Sequence, residues 1–219
     1  MEATEDMPTL WLQRNVHTAQ IATDIVVLDV KADRYSCLLG AALYVRLGQN
    51  GRLEAANEDV AGALEAAGFA TRSPLSTSHM PPTPANRELS MVSNTSRIET
   101  VRASLAFLAA RWIFKGKTLG ELIRFHDTVR PRSDPIAEPR LIEFVSAARR
   151  ARPWTPFEGE CLQRSFQLRC YLASHGVAVD WIFGVRTWPF CAHCWLQFDD
   201  IVVGDRLDRV ARYTPILKA

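Results

Sequence analysis

A thiol, an imidazole and a carboxylate stand in that order at Cys161, His193 and Asp205. They are the parts of a nucleophile, the base that takes its proton and the group that orients the base. The cysteine opens a helix-like run, Glu160-Cys161-Leu162-Gln163-Arg164-Ser165. A thiol at a helix N-terminus is drawn toward its thiolate by the unpaired amides and the helix dipole there. Its backbone amide is also a candidate donor to an oxyanion. The chemistry this set suits is acyl transfer, against the bland alternative of a buried cysteine acting as a small hydrophobe.

His193 lies in a strand-like stretch, Pro189-Phe190-Cys191-Ala192-His193-Cys194-Trp195, that leads to Gly204-Asp205. By the period of two, Ala192, Cys194, Leu196 and Phe198 share a core face, while His193, Trp195 and Gln197 share the other. Three carboxylates follow: Asp199, Asp200 and Asp205. Asp199 is about 20 Å from His193 along an extended strand. If the chain turns at Asp199, antiparallel pairing sets Asp205 opposite His193, whereas a two-residue turn sets it opposite Cys194. Asp205 is preferred, and Asp199 and Asp200 read as turn residues.

Zinc competes, because Cys191-Ala192-His193-Cys194 contains a C-x-x-C and further cysteines lie upstream. On a helix Cys170 points away from Cys161, and on a regular strand Cys191 and Cys194 point to opposite faces. The expectation is therefore no metal.

The elements that position these groups begin at 97. Ile98, Val101, Leu105, Leu108 and Trp112 recur at helical spacing over 97–114, and 119–129 repeats the pattern until Pro131. A third helix is expected over 135–150, starting at its proline, and a fourth over 161–174, capped by His175-Gly176. Strands follow at 177–185, 193–198 and 201–203. Helices then an antiparallel sheet is an α+β plan.

Residues 71–94 hold Ser73-Pro74-Leu75-Ser76-Thr77-Ser78 and Pro81-Pro82-Thr83-Pro84, which remove backbone donors and read as a linker. Before it, strands are expected at 16–22 and 25–30, a third somewhere in 35–47, and a helix after Asn57 that ends at Gly68. Three strands and a few helices make a small winged-helix-like module. The division is 1–72, linker 73–96 and 97–219.

Among 219 residues, 26 Lys and Arg nearly balance 24 Asp and Glu, which does not suggest nucleic-acid binding. Five cysteines do not make a disulfide framework, and the reducing cytosol suits them. The acidic start Met1-Glu2-Ala3-Thr4-Glu5-Asp6 is unlike a signal peptide, and no apolar stretch is long enough to span a bilayer. The expected location is cytoplasmic.

Read together, Cys161-Leu162-Gln163-Arg164-Ser165, Phe183-Gly184-Val185-Arg186, Pro189-Phe190 with Ala192-His193-Cys194-Trp195, and Asp205 before Tyr213-Thr214-Pro215-Ile216 resemble the lasso-peptide B proteins. These are transglutaminase-like (papain-like) cysteine proteases that remove the leader from a lasso precursor, a ribosomally made peptide (RiPP). The resemblance covers about 97–219, and Cys191 and Cys194 depart from it, standing where small residues are common.

Residues 1–72 resemble a precursor (leader) recognition element. The resemblance implies that the leader adds as a strand beside the third strand and against a neighbouring helix, by β-augmentation. The edge is placed at Arg34, Tyr35 and Ser36 and the helix contact at Val60 and Leu64, with plain core an equal reading for Tyr35 and Leu64. It further implies an asparagine-synthetase-like lasso cyclase as partner, which spends the ATP; this chain has no Walker-type loop and needs no cofactor itself. Two other readings stay open: a non-catalytic adaptor that delivers a peptide, and an amide-forming transglutaminase or acyltransferase.

Overall fold

Alternation decides the first strands. Leu10 and Leu12 are buried on β1 (Thr9–Leu12), and β2 (Val16–Ile21), β3 (Asp24–Asp29) and β4 (Arg34–Leu38) follow as an antiparallel meander in which Val27 lies between Thr18 and Ser36. The computed structural model describes residues 7–74, 82–90, 95–128, 137–155 and 159–219. The acidic start, most of the Ser/Pro tract at 75–81, and the stretch with Pro131 and Pro135 lie outside these residues, as does Pro156.

A hairpin of β5 (Val45–Leu47) and β6 (Arg52–Ala55) completes a second sheet with β1 and β7 (Ala70–Thr71), in the order β5-β6-β1-β7. Between its last strands runs α1 (Glu58–Ala66). Its cap is the expected one: Asn57 Oδ1 accepts from the Val60 amide at 2.9 Å, Glu58 and Asp59 sit in the first turn, and Gly68 follows at φ 73. The three-strand, winged-helix-like expectation meets a different balance. Described residues 7–74 hold seven strands and one α-helix, because β1, β5, β6 and β7 are too short to show an alternating run.

The expected linker is corrected in part. Within it, β8 (Arg87–Glu88) pairs parallel to a later strand, the Gln197 side-chain amide donates to the Thr83 carbonyl, and Leu89 is only 2% exposed. Arg87-Glu88-Leu89 contains no proline, so its donors and one apolar side chain are free to finish a sheet edge.

Four helices follow: α2 (Arg97–Phe114), α3 (Leu119–Thr128), α4 (Glu138–Ala151) and α5 (Cys161–Ser174). Then come β9 (Asp180–Arg186), β10 (Cys191–Phe198), β11 (Ile201–Val203), the short α6 (Leu207–Val210) and β12 (Thr214–Lys218). The sheet order is β12-β9-β10-β11-β8, antiparallel except for the β8 edge. The chain is thus a mixed helix and antiparallel-sheet fold, with α2, α4 and α5 packed together and α5 against β10.

Helix α2 turns the opposite way from its apolar pattern. Its buried residues are Ala103, Phe107 and Ala110, while the spacing that marked the helix belongs to side chains on the outside.

The two units share a core. On β3, Ile25 and Val27 face the first unit's interior, but Val26 and Leu28 join Leu119, Phe144, Phe166 and Trp181 of the second. Among the described residues no helix is long and apolar enough to cross a membrane.

Candidate active site

Residues 161–174 form a helix because apolar Phe166, Leu168, Tyr171 and Leu172 fall on its buried side. Its N-cap, Glu160, makes no side-chain hydrogen bond to it, so the first turn is not capped by its own acid. Cys161 is the first residue, half-buried in the lining of a cleft of about 400 Å3. His193, Cys194, Asp205, Arg209 and Tyr213 line the same cleft.

Ser165, one turn on, ties the helix start to the sheet. Its hydroxyl donates to the Cys161 carbonyl at 2.8 Å and accepts from the Trp181 indole at 2.9 Å. The Cys194 thiol lies 3.3 Å from the same oxygen. With the Ser165 proton engaged by a carbonyl, Cys194 keeps its S–H to donate.

His193 is buried on β10, and its Nε2 is 2.6 Å from Asp205 Oδ2. That leaves Nδ1 for the thiol. The Tyr213 ring sits 5.2 Å away and the Trp195 ring stacks at 6.1 Å, so the imidazole is packed against two aromatic rings.

The hairpin that carries Asp205 is not paired as expected. Leu196 faces Val203 and Phe198 faces Ile201, so the turn has two residues, Asp199 and Asp200, with Asp199 at φ 51. By that register position 205 belongs opposite Cys194. Asp205 nevertheless reaches His193, because β11 ends at Val203 and Gly204 turns the chain at φ 75, where side chains are disfavoured. A Cβ at Gly204 would also strike the Leu168 side chain. Asp200 pairs instead with Arg87 at 3.2 Å.

The electrostatics follow from these contacts. A hydrogen bond from Cys194, then one from His193, outweigh burial and hold the Cys161 thiol down to about 4. Burial works against a charged imidazole, yet the hydrogen bonds and charges of Asp205 and Cys161 prevail and push His193 up to about 9. Burial likewise opposes ionisation of Asp205, but His193, the Arg206 amide and the charge of Arg209 keep it below the usual carboxylate range. The Cys161 thiolate and burial push Cys194 up, so it stays protonated. The arrangement favours a thiolate beside an imidazolium, ready to attack an acyl carbon.

Of the other cysteines, Cys170 is outside the cleft lining and Cys191 is part of it. Cys170 is half-buried among apolar groups, and burial pushes it up to about 12. Cys191 lies 3.5 Å from the Tyr213 hydroxyl, on the other face from Cys194. Among the described residues no three His, Cys, Asp or Glu side chains are grouped to hold a metal.

On the first unit, Arg34 is exposed and Tyr35 and Ser36 are half-buried on β4, the sheet's outer strand. The Tyr35 ring lies 5.8 Å from that of Phe190, next to the cleft residue Cys191. Exposed Leu39, Leu43 and Tyr44 follow the strand. Leu64 is 9% exposed and belongs to the first unit's core, the other of its two readings, with Val60 packed at that core's margin. Helix α1 lies against β6 and β7, since its apolar stripe completes the second sheet's core.

The sequence placed Cys194 on the core face and, beyond the helix start, assigned Ser165 no contact of its own. The contact was foreshadowed only by Cys194 sharing the face that α5 covers. The sequence model of the transglutaminase-like superfamily matches residues 104–218, which include Cys161, His193 and Asp205. No curated protein and no solved structure gives a match.

Proposed function

The chain belongs to the transglutaminase-like superfamily, and from that premise we propose that it is a lasso-peptide leader peptidase working through Cys161, His193 and Asp205. The observation that carries the reading is the cleft itself. A thiol favoured as thiolate at a helix start faces an imidazole whose far nitrogen is held by a carboxylate at 2.6 Å.

In this mechanism the Cys161 thiolate attacks the last leader carbonyl, and the Cys161 amide is a donor for the oxyanion. Collapse breaks the peptide bond, and His193 gives its proton to the departing core amine. The thioester is then hydrolysed by a water that loses its proton to His193, releasing the leader as a carboxylate. Asp205 holds the imidazole with Nδ1 toward the sulfur throughout.

The recognition role of residues 1–72 is supported by two features of β4. It is an outer strand with apolar Leu39, Leu43 and Tyr44 exposed beside it, and its Tyr35 touches the cleft margin at Phe190. A leader added along Arg34, Tyr35 and Ser36 is thereby held beside the nucleophile. The freed core amine goes to an asparagine-synthetase-like partner cyclase, which uses ATP, in a cytoplasmic pathway.

The test is to incubate the full chain with a lasso precursor and read peptide masses. Loss of the leader with gain of one water supports the proposal. A product joined to an added amine makes the chain an amide-forming acyltransferase, and binding without any mass change, with the partner cyclase and ATP supplied, makes it an adaptor.

A further inference from the structure

Helix α2 exposes its apolar residues. Ile98 is 66% exposed, Val101 59%, Leu105 62%, Leu108 37% and Trp112 77%, whereas Ala103, Phe107 and Ala110 on the other side are closed into the core. The five exposed residues are spaced alternately three and four apart, which is the a and d pattern of a heptad. The seam runs about 21 Å at 1.5 Å per residue. Large side chains contiguous along that length are not the scattered exposed leucines of an ordinary surface.

The seam is narrow, and its borders are basic. Arg97 and Arg102 are exposed beside it, and Arg111 flanks the last turn. The helix's acid, Glu99, is turned inward, where it accepts from the Tyr171 hydroxyl at 3.2 Å and meets His175 Nε2 at 3.0 Å as well as Arg102 at 2.6 Å. Two consequences follow. A strict a/d stripe flanked by charge matches a facing helix, whereas a membrane surface takes a broader apolar face. A second copy in parallel would set Arg97 against Arg102, and in antiparallel would set one basic border against another, so self-pairing is repelled.

We propose that this face of α2 docks an acidic amphipathic helix of a partner protein, with leucine-like side chains in the seam and Glu or Asp against Arg97, Arg102 and Arg111. The proposal is independent of the cleft chemistry, since it is Phe107, on the opposite face of α2, that meets Tyr171 and Gln167 of α5. It makes the chain an assembly component as well as an acyl-transfer domain.

The probe is a labelled synthetic peptide of three heptads with Ile at a, Leu at d and Glu at e and g, which repels itself and stays monomeric alone. A second peptide carries Lys at e and g. Each is titrated against the full chain by anisotropy, at low and high salt. Expected is binding of the Glu peptide alone, weakened at least tenfold by Leu105→Ser and by Arg102→Glu, and weakened by salt. Leu105 is mostly exposed, so the variant keeps the fold, and unchanged circular dichroism and Tm confirm this. Equal binding of both peptides, no binding of either, dimerisation of the chain through Leu105 in sedimentation, or flotation of the chain with anionic phospholipid vesicles would each overturn the proposal.

Discussion

His193 Nε2 and Asp205 Oδ2 lie 2.6 Å apart, a contact made by a carboxylate that has already left its strand at Gly204. Asp205 Oδ1 also accepts from the Arg206 amide at 2.8 Å, so its position is set from its own backbone as well as by the imidazole. Asp205→Asn keeps that backbone acceptor while favouring the wrong tautomer at Nε2. Single-turnover leader cleavage at saturating precursor is expected to fall on the order of 10⁴-fold, the scale set by a triad aspartate in a serine protease. Asp199→Asn and Asp200→Asn are expected to change little. Near-normal turnover in Asp205→Asn with loss in either turn variant would assign the orienter elsewhere.

Cys161 is held down to about 4 and His193 up to about 9, so the reactive pair exists between them. The thiolate is lost as pH falls through the lower value, and the imidazolium proton needed by the leaving amine is lost as pH rises through the upper. Cleavage is expected to be bell-shaped with a broad top from about pH 5 to 8. Alkylation of Cys161 by iodoacetamide should stay nearly flat over that span, where an ordinary thiol slows about tenfold per unit below its usual value. A steep fall of the alkylation rate from pH 8 to pH 6 would contradict the ion pair.

The largest single influence on Cys161 is the hydrogen bond from Cys194. Cys194→Ala removes that donor without removing the base. The alkylation profile is expected to shift to higher pH while some cleavage remains. Cys161→Ala should abolish cleavage and leave precursor affinity within about twofold, since β4 is untouched. Cys170→Ala, at a thiol away from the cleft, should leave the alkylation profile where it is.

Leu64 and Tyr35 separate stability from docking. Leu64→Ala opens the first unit's core and should cost about 2–5 kcal/mol, read as a lowered Tm. Tyr35→Ala and Arg34→Glu should instead raise the Kd for the precursor, with single-turnover cleavage at saturation kept. Precursor affinity unchanged in both β4 variants would remove this strand from the docking surface.

Local chemistry was legible in the residues alone. The caps of α1, the helical start at Cys161 and the existence of a strand around His193 depend on neighbours within one or two turns of chain, where spacing carries the information. The face that α2 buries does not: Ile98 to Trp112 mark a helix by their period, but whether that stripe meets the core or the solvent depends on α4 and α5, which lie far along the chain. The same holds for Arg87–Glu88, which become a strand only because β11 offers an unpaired edge. Tertiary structure also decided Asp205, since the strand register alone would send it toward Cys194 and only the turn at Gly204 brings it to the imidazole. The thiol–thiol contact of Cys161 with Cys194 required the docking of α5 on β10, and no spacing rule spans the 32 residues between them.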